Sequence, residues 1–176
     1  MAADRLRRLI FDFRPPALER SGLAAAAREL LDHVEADVGL AVHLENLVIE
    51  EPPLPTRLLL YRMLQEALAN VSKHADADRV EVVMAEQDGG YLVRVVDDGV
   101  GTPAADEPEP GHLGLALMRE RAALAGGWFR MTSAPASGTT VSFWIPRGAD
   151  LSGSGPREER AREPRSPGPS NSGSAR

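Results

Sequence analysis

The sequence has 176 residues, of which 43% are hydrophobic and 26% charged, with a net charge of −6. This length predicts one globular domain with an appendage, and the acidic balance argues against a nucleic-acid partner. The absence of cysteine excludes disulfides and a cysteine nucleophile and suits the cytoplasm, and no apolar run approaches the roughly 18 residues that a membrane segment needs.

The first half of the chain alternates helical and extended patterns. Residues 4–13 predict the end of a helix that stops before the proline pair 15–16, because the residue before a proline avoids helical geometry. Apolar residues at a 3.6-residue spacing predict a helix over 22–35, and the alternation in 40–45 predicts a half-buried strand. A proline-rich stretch at 52–55 then separates this strand from the next element.

The second half predicts a long helix followed by paired strands. The long helix covers about 57–72, and a second helix covers about 113–125 after a loop rich in proline, glycine and acid. The predicted strands are 79–85, 91–96, 128–133 and 139–145. Residues 148–176 contain one large apolar residue, Leu151, so we expect a disordered tail. The fold class that results is an α/β (α+β) sandwich, with a mixed, mainly antiparallel sheet covered on one face by helices.

Polar residues at helical spacing in the long helix are the first candidate site. Glu66, Asn70, Lys73 and His74 fall on one predicted face, and Lys73 is the only lysine in the sequence. An asparagine oxygen together with substrate phosphates can hold Mg²⁺, and a nearby carboxylate can activate an incoming nucleophile. The alternative is the solvated face of an ordinary amphipathic helix.

A second candidate follows the strand over 91–96. Asp97 stands at the strand end, where a carboxylate can accept a hydrogen bond from the exocyclic amine of a base. Gly99 and Gly101 allow positive φ and close approach of a flat ring, although the same residues also suit a simple turn.

Two further groups of residues are weak signals when each is taken alone. Gly111, Gly114 and Leu115 open the helix over 113–125, where free N–H groups favour phosphate. Thr139 and Thr140 supply hydroxyls at the start of the last strand, and the alternative there is a β-favouring pair.

Taken in order, these segments resemble one known family. They read EALANVSKHADADRVEV from residue 66, VRVVDDGVGT from 93, GHLGLALMRERAALAGG from 111 and SGTTVSFWIP from 137. They are similar to the ATP-binding catalytic domain of two-component sensor histidine kinases, in the superfamily with Hsp90-type chaperones, gyrase subunits and MutL. The branch of nitrate and lipid-fluidity sensors is most similar, and RRLIFDFRPPAL at 7–18 resembles the end of its phosphotransfer hairpin.

The resemblance implies the Bergerat ATP-binding fold, with ATP and Mg²⁺ as cofactors, and a role for each candidate. Asn70 would hold Mg²⁺, Glu66 would be catalytic, and Lys73 with His74 would face the phosphates. Asp97 would read adenine between Gly99 and Gly101, Gly111 and Gly114 would bound a lid beside Leu115, and Thr139 or Thr140 would complete the pocket.

The resemblance also implies three parts and outside partners. Residues 1–21 would be the remnant of the hairpin and its junction, 22–147 the catalytic domain and 148–176 the tail. In that family the acceptor histidine stands in a sequence like ARELHD upstream of the RPPAL segment, and no such sequence is found here. The nearest likeness, ARELLD from residue 27, lies downstream of RPPAL and has Leu31 in place of the histidine, so we interpret it as a chance likeness. We therefore expect a shortened or fragmentary kinase that phosphorylates a histidine on another polypeptide. That phosphohistidine would then pass the phosphate to a response regulator. We expect the chain to form at most a weak homodimer. The alternatives are a non-catalytic nucleotide-binding module and an anti-sigma-type serine kinase.

Overall fold

The structure, a computed structural model, describes residues 16–102, 113–149 and 151. The helices are α1 (Pro16–Arg20), α2 (Gly22–Val38), α3 (Leu54–Asn70) and α4 (Leu113–Leu124), and α3 runs directly into a π-helical turn, Val71–Ala75. The strands are β1 (Ala41–Leu47), β2 (Arg79–Gln87), β3 (Gly90–Asp97), β4 (Trp128–Ser133) and β5 (Thr139–Pro146). The predicted helix over 4–13, the lid glycine Gly111 and almost all of the predicted tail lie outside the described residues.

The five strands form one sheet in the order β1-β2-β3-β5-β4. Only β1 and β2 pair in parallel, and the three other pairs are antiparallel. Parallel neighbours need a crossover, and α3 supplies it between β1 and β2. The predicted hairpin closes through Asp88 and Gly89, both at positive φ, as a two-residue turn of a tight hairpin requires. The predicted fold class, a mixed and mainly antiparallel sheet with helices, is confirmed.

The core lies between the sheet and the helices. Helix α3 buries an apolar stripe, since Leu60, Leu64 and Leu68 are each no more than 1% exposed. The sheet meets it with alternating side chains, of which Phe143 and Ile145 on β5 are fully buried. This alternation directs every second residue of a strand to the same face, so the positions of the pocket residues follow from those of the core residues.

Helix α1 belongs to the same packed unit. Leu18 is fully buried in the core, and its carbonyl oxygen accepts a hydrogen bond from Arg57 Nη1 at 2.8 Å. Glu51 accepts the backbone N–H of Leu23, at the start of α2, over 2.5 Å. These contacts join α1 and the start of α2 to the first turn of α3 and to the residues just before it.

Three helix ends differ from the sequence prediction. Helix α3 begins at Leu54 rather than about 57, with Pro55 in its first turn, where proline is tolerated. Helix α2 continues to Val38 and ends at Gly39, whose φ of 76° and N–H bond to Glu35 form a left-handed cap. The α-helical part of α3 ends at Asn70 rather than about 72, because the backbone widens into the π turn that closes at Asp76 with φ 48°. Such π turns occur often at functional sites. No helix in the described part of the chain is long and apolar enough to cross a membrane.

Candidate functional site

A cavity of about 310 Å³ lies where the end of α3 and its π turn meet the ends of β3, β4 and β5 and the first turn of α4. The predicted site residues that line it are Asn70, His74, Asp97, Gly101, Gly114, Leu115 and Thr139. Apolar side chains complete the walls, among them Val71, Met131 and Val141. Residues that are far apart in the sequence therefore meet around one space large enough for a small molecule.

Asp97 is the buried carboxylate of this cavity. Its side chain is only 6% exposed, and its Oδ1 accepts the backbone N–H of Gly99 at 3.1 Å and of Thr139 at 3.2 Å. Burial raises the pKa of Asp97, and these two hydrogen bonds oppose that rise. Among the described residues, none donates a hydrogen bond to Oδ2. The carboxylate is therefore held by one oxygen and offers the other to a ligand that carries a hydrogen-bond donor.

The glycines that follow Asp97 let the loop fit between two other segments. A Cβ at Gly99 would collide with the carbonyl group of Ala75 in the π turn. Gly101 has a φ of 62°, and a Cβ there would collide with the carbonyl oxygen of Ala134. The loop is held in this position because Val100 donates its N–H to the Ala75 carbonyl at 2.7 Å. Gly101 lines the cavity, whereas Gly99 supports it from behind.

The neighbouring carboxylate, Asp98, has a different role. Its Oδ1 accepts the backbone N–H of Asp78 at 3.0 Å and of Arg79 at 2.9 Å. Asp98 is exposed and does not line the cavity. It fixes the start of β2 against the end of β3, so the two adjacent aspartates divide into a pocket residue and a structural residue.

The four polar residues of the long helix separate in space. Asn70 and His74 line the cavity and Lys73 does not, although Lys73 and His74 are both exposed. Glu66 stands one turn earlier, and its carboxylate lies so close to Gly114 that a Cβ on Gly114 would collide with it. Glu66 is thus at the rim, between the cavity and the start of α4.

The two threonines also separate, because strand residues alternate between faces. Thr139 pairs with Asp97 across the sheet and lines the cavity. Thr140 pairs with Val96 and Thr132 and belongs to the other face.

Several residues of the site were not predicted. Ser133 hydrogen-bonds to Thr139 from below the cavity wall, and Met131 forms part of that wall. The sequence holds a signal for both, because a hairpin between 128–133 and 139–145 places Ser133 opposite Thr139 and Met131 opposite Val141.

The site also fits a hard cation in one respect. The part of the chain that the structure describes contains no cluster of three or more acidic, histidine or cysteine side chains suited to a metal. Asn70 lines the cavity and its side chain carries an amide oxygen. Mg²⁺ commonly takes one or two protein oxygens and completes its shell with waters and phosphates. The donor set therefore fits a cation that arrives with a phosphorylated ligand.

Comparisons with known proteins agree with this site. Residues 56–149 match the family model described as histidine kinase-, DNA gyrase B-, and HSP90-like ATPase. The oxygen sensor histidine kinase NreB of Staphylococcus carnosus is 34% identical over 144 residues, which are 81% of this chain and 42% of NreB. The nitrate/nitrite sensor protein NarQ of Escherichia coli is 34% identical over 79% of this chain and 25% of NarQ. The chain thus spans less than half the length of these curated relatives.

A solved structure extends the agreement to the fold. The histidine kinase domain of the blue-light activated histidine kinase EL346 from Erythrobacter litoralis superposes with a TM-score of 0.61 at 25% identity, covering 75% of this chain and 62% of that one. The matched family residues include every described residue that lines the cavity. The chain belongs to the family of histidine kinase-, DNA gyrase B- and HSP90-like ATPases, and its curated relatives include sensor histidine kinases.

Proposed function

We propose that this chain binds ATP with Mg²⁺ and transfers the γ-phosphate to a histidine on another polypeptide, as the catalytic domain of a cytoplasmic sensor histidine kinase. The observation that carries the proposal is the buried carboxylate of Asp97, whose Oδ1 is held by two backbone N–H groups. Its other oxygen lies on a cavity with apolar walls, which is what a flat base with an exocyclic amine requires.

The base would enter between the π turn and the strands. Asp97 Oδ2 would accept a hydrogen bond from the 6-amino group of adenine, while Val71 and Met131 would contact the ring through their apolar side chains. Gly101 has no side chain, so the ring can approach the backbone closely there.

The phosphates would extend toward the start of α4. Asn70 would hold Mg²⁺, which neutralises phosphate charge when it is bound, and His74 would meet the phosphates from the same side. Lys73 is exposed, so its side chain can swing toward the phosphates. The free backbone N–H groups in the first turn of α4 would also face them. Glu66, at the rim, would orient and help deprotonate the incoming imidazole. Catalysis would then consist mainly of positioning and charge neutralisation.

The phosphoacceptor would come from outside this chain. His33 and His43 are exposed in α2 and β1, and neither lines the cavity. A response regulator would take the phosphate from the acceptor histidine in a second step. The rival functions are a nucleotide-binding module without transfer and a serine kinase of the same superfamily.

The test is phosphotransfer from labelled ATP to a separate helical hairpin that carries the acceptor histidine. We expect label on the hairpin that is stable in base and lost in acid, as phosphohistidine is. Asn70→Ala should abolish transfer and remove the Mg²⁺ dependence of binding, whereas Asn46→Ala, on exposed β1, should not. Binding without transfer would support the non-catalytic module, and acid-stable label on serine would support the serine kinase.

A further inference from the structure

Behind the cavity wall, Ser133 makes three hydrogen bonds through one hydroxyl group. Its Oγ lies 2.8 Å from the backbone nitrogen of Thr102, 3.1 Å from the carbonyl oxygen of Gly138 and 2.9 Å from Thr139 Oγ1. Ser133 and Thr139 face each other as the last residue of β4 and the first of β5. Ser133 does not line the cavity, but Thr139 does.

The three contacts fix the direction of each hydrogen bond. A hydroxyl group has one proton to donate and can accept two. The Gly138 carbonyl can only accept and the Thr102 N–H can only donate, so Ser133 gives its proton to Gly138 and accepts from Thr102. Its remaining bond, to Thr139, must then be one in which the threonine hydroxyl donates. This is the one arrangement that satisfies all three contacts.

As a result, Thr139 has no hydroxyl proton left for a ligand. Its backbone N–H is also used, since it donates to Asp97 Oδ1 at 3.2 Å. What Thr139 and Asp97 can still offer at the cavity are lone pairs, on Thr139 Oγ1 and Asp97 Oδ2. Because Thr139 and Asp97 pair across the sheet and both line the cavity, their two side chains can offer acceptors to a ligand there but no donor.

We propose that Ser133 is a specificity-determining positioning residue, which holds Thr139 as an acceptor so that the pocket selects a 6-amino purine over a 6-oxo purine. The inference rests on the proposed binding of ATP at this site. A 6-amino group has two protons to donate to such a wall. A 6-oxo group has none and places a third acceptor against it, and the single N1–H of that base can serve only one of the two acceptors. Sites built to hydrogen-bond one group discriminate strongly against an analogue that lacks it.

The test compares binding of ATP and of inosine triphosphate, which differ at position 6 and in the proton on the adjacent ring nitrogen, by calorimetry with Mg²⁺. Ser133→Ala frees the Thr139 hydroxyl to rotate and donate, so the preference for ATP should fall about three- to tenfold. Ser133→Thr keeps a hydroxyl group at this position, so this variant should keep the preference of the wild type for ATP. Ser137→Ala, which removes an exposed hydroxyl from the same turn, should leave it unchanged. Loosening of the Thr102 contact would weaken both nucleotides alike and cancels from the ratio.

A double-mutant cycle with Thr139→Val asks whether Ser133 acts through Thr139. This variant removes the acceptor itself, so it should also reduce the preference, and Ser133→Ala added to it should change nothing further. An unchanged preference in Ser133→Ala, or in Thr139→Val should the first variant not fold, overturns the inference, as does a wild-type protein that binds both nucleotides equally. A wild-type protein that binds neither overturns the proposed function as well.

Discussion

The two ends of β3 hold carboxylates in opposite ways. At the Gly90 end, Glu86 Oε1 accepts the backbone N–H groups of Ile49 at 2.8 Å and Glu50 at 2.5 Å, and Oε2 pairs with Arg147 at 2.5 Å. These donors, with the Glu50 N–H first among them, lower the pKa of Glu86. At the other end, Asp97 has donors for one oxygen only, and burial raises its pKa.

This difference separates a structural carboxylate from one that is prepared for a ligand. Arg147 also pairs with Glu50 and lies over the ring of Tyr91 at 5.3 Å, so it ties three segments together. No cation that the structure describes pairs with Asp97, and its free oxygen lies on the cavity instead. Water can reach this oxygen, since it is not among the buried polar atoms without a partner in the described residues, and a ligand that carries a donor can replace that water. Near one end of β3 both oxygens of a carboxylate are satisfied by protein donors, and at the other end only one oxygen is.

The sharpest way to break this comparison is Asp97→Asn. The amide oxygen would keep the hydrogen bonds from Gly99 and Thr139, which leaves the amide N–H₂ facing the amino group of adenine. Two donors would then meet, and we expect the affinity for ATP to fall about a hundredfold in calorimetry.

The matched control is Asp98→Asn. Its amide oxygen can still accept from Asp78 and Arg79, so the affinity should stay within about twofold of the wild type. Equal losses in the two variants would contradict the assignment of Asp97 as the ligand-binding carboxylate.

A smaller effect should distinguish the glycines at the two ends. Gly89, in the hairpin turn, and Gly101, at the cavity, both have positive φ, but a Cβ would meet open space at Gly89 and the carbonyl of Ala134 at Gly101. Gly89→Ala should lower the free energy of unfolding by about 1 kcal/mol through backbone strain alone. Gly101→Ala should lower it by about 3 kcal/mol, because the loop must also move.

Chemical denaturation measures both values, and nucleotide titration adds a second reading. Only Gly101→Ala should weaken ATP binding, since Gly101 lines the cavity and Gly89 does not. Similar stabilities for the two variants would show that the loop after β3 can shift away from Ala134 without cost.

The sequence predicted the features that depend on residues close together in the chain. Periodicity placed α3, the hairpin of β2 and β3 and the final strand pair, and the position of Asp97 at a strand end followed from them. These features depend on neighbours in the chain, so composition and spacing specify them. The shared cavity of Asn70, Asp97 and Thr139 followed only through the resemblance to a known family.

What was missed depends on register and long-range approach. No residue pattern distinguishes the π turn after Asn70 from a continuing α-helix. The contact of Glu66 with Gly114 depends on where α4 begins. Arg147 meets Glu50 and Glu86 across 97 and 61 residues of sequence. No local pattern specifies such distances, although the pairing of β4 with β5 could have predicted the contact of Ser133 with Thr139.

The smallest expected effect concerns the Gly90 end. Glu86→Gln keeps an oxygen for the N–H groups of Ile49 and Glu50 but removes the charge that meets Arg147, and exposed ion pairs contribute little. Because the pKa of Glu86 is lowered in the folded protein, its charge stabilises the fold above the pKa of the unfolded chain, and this stability is lost as the pH falls through the folded value. The Tm of the variant should therefore lie at most a few degrees below that of the wild type at neutral pH, and the two should converge in acid. The affinity for ATP should not change, and a change would mean that the two ends of β3 are coupled through the sheet.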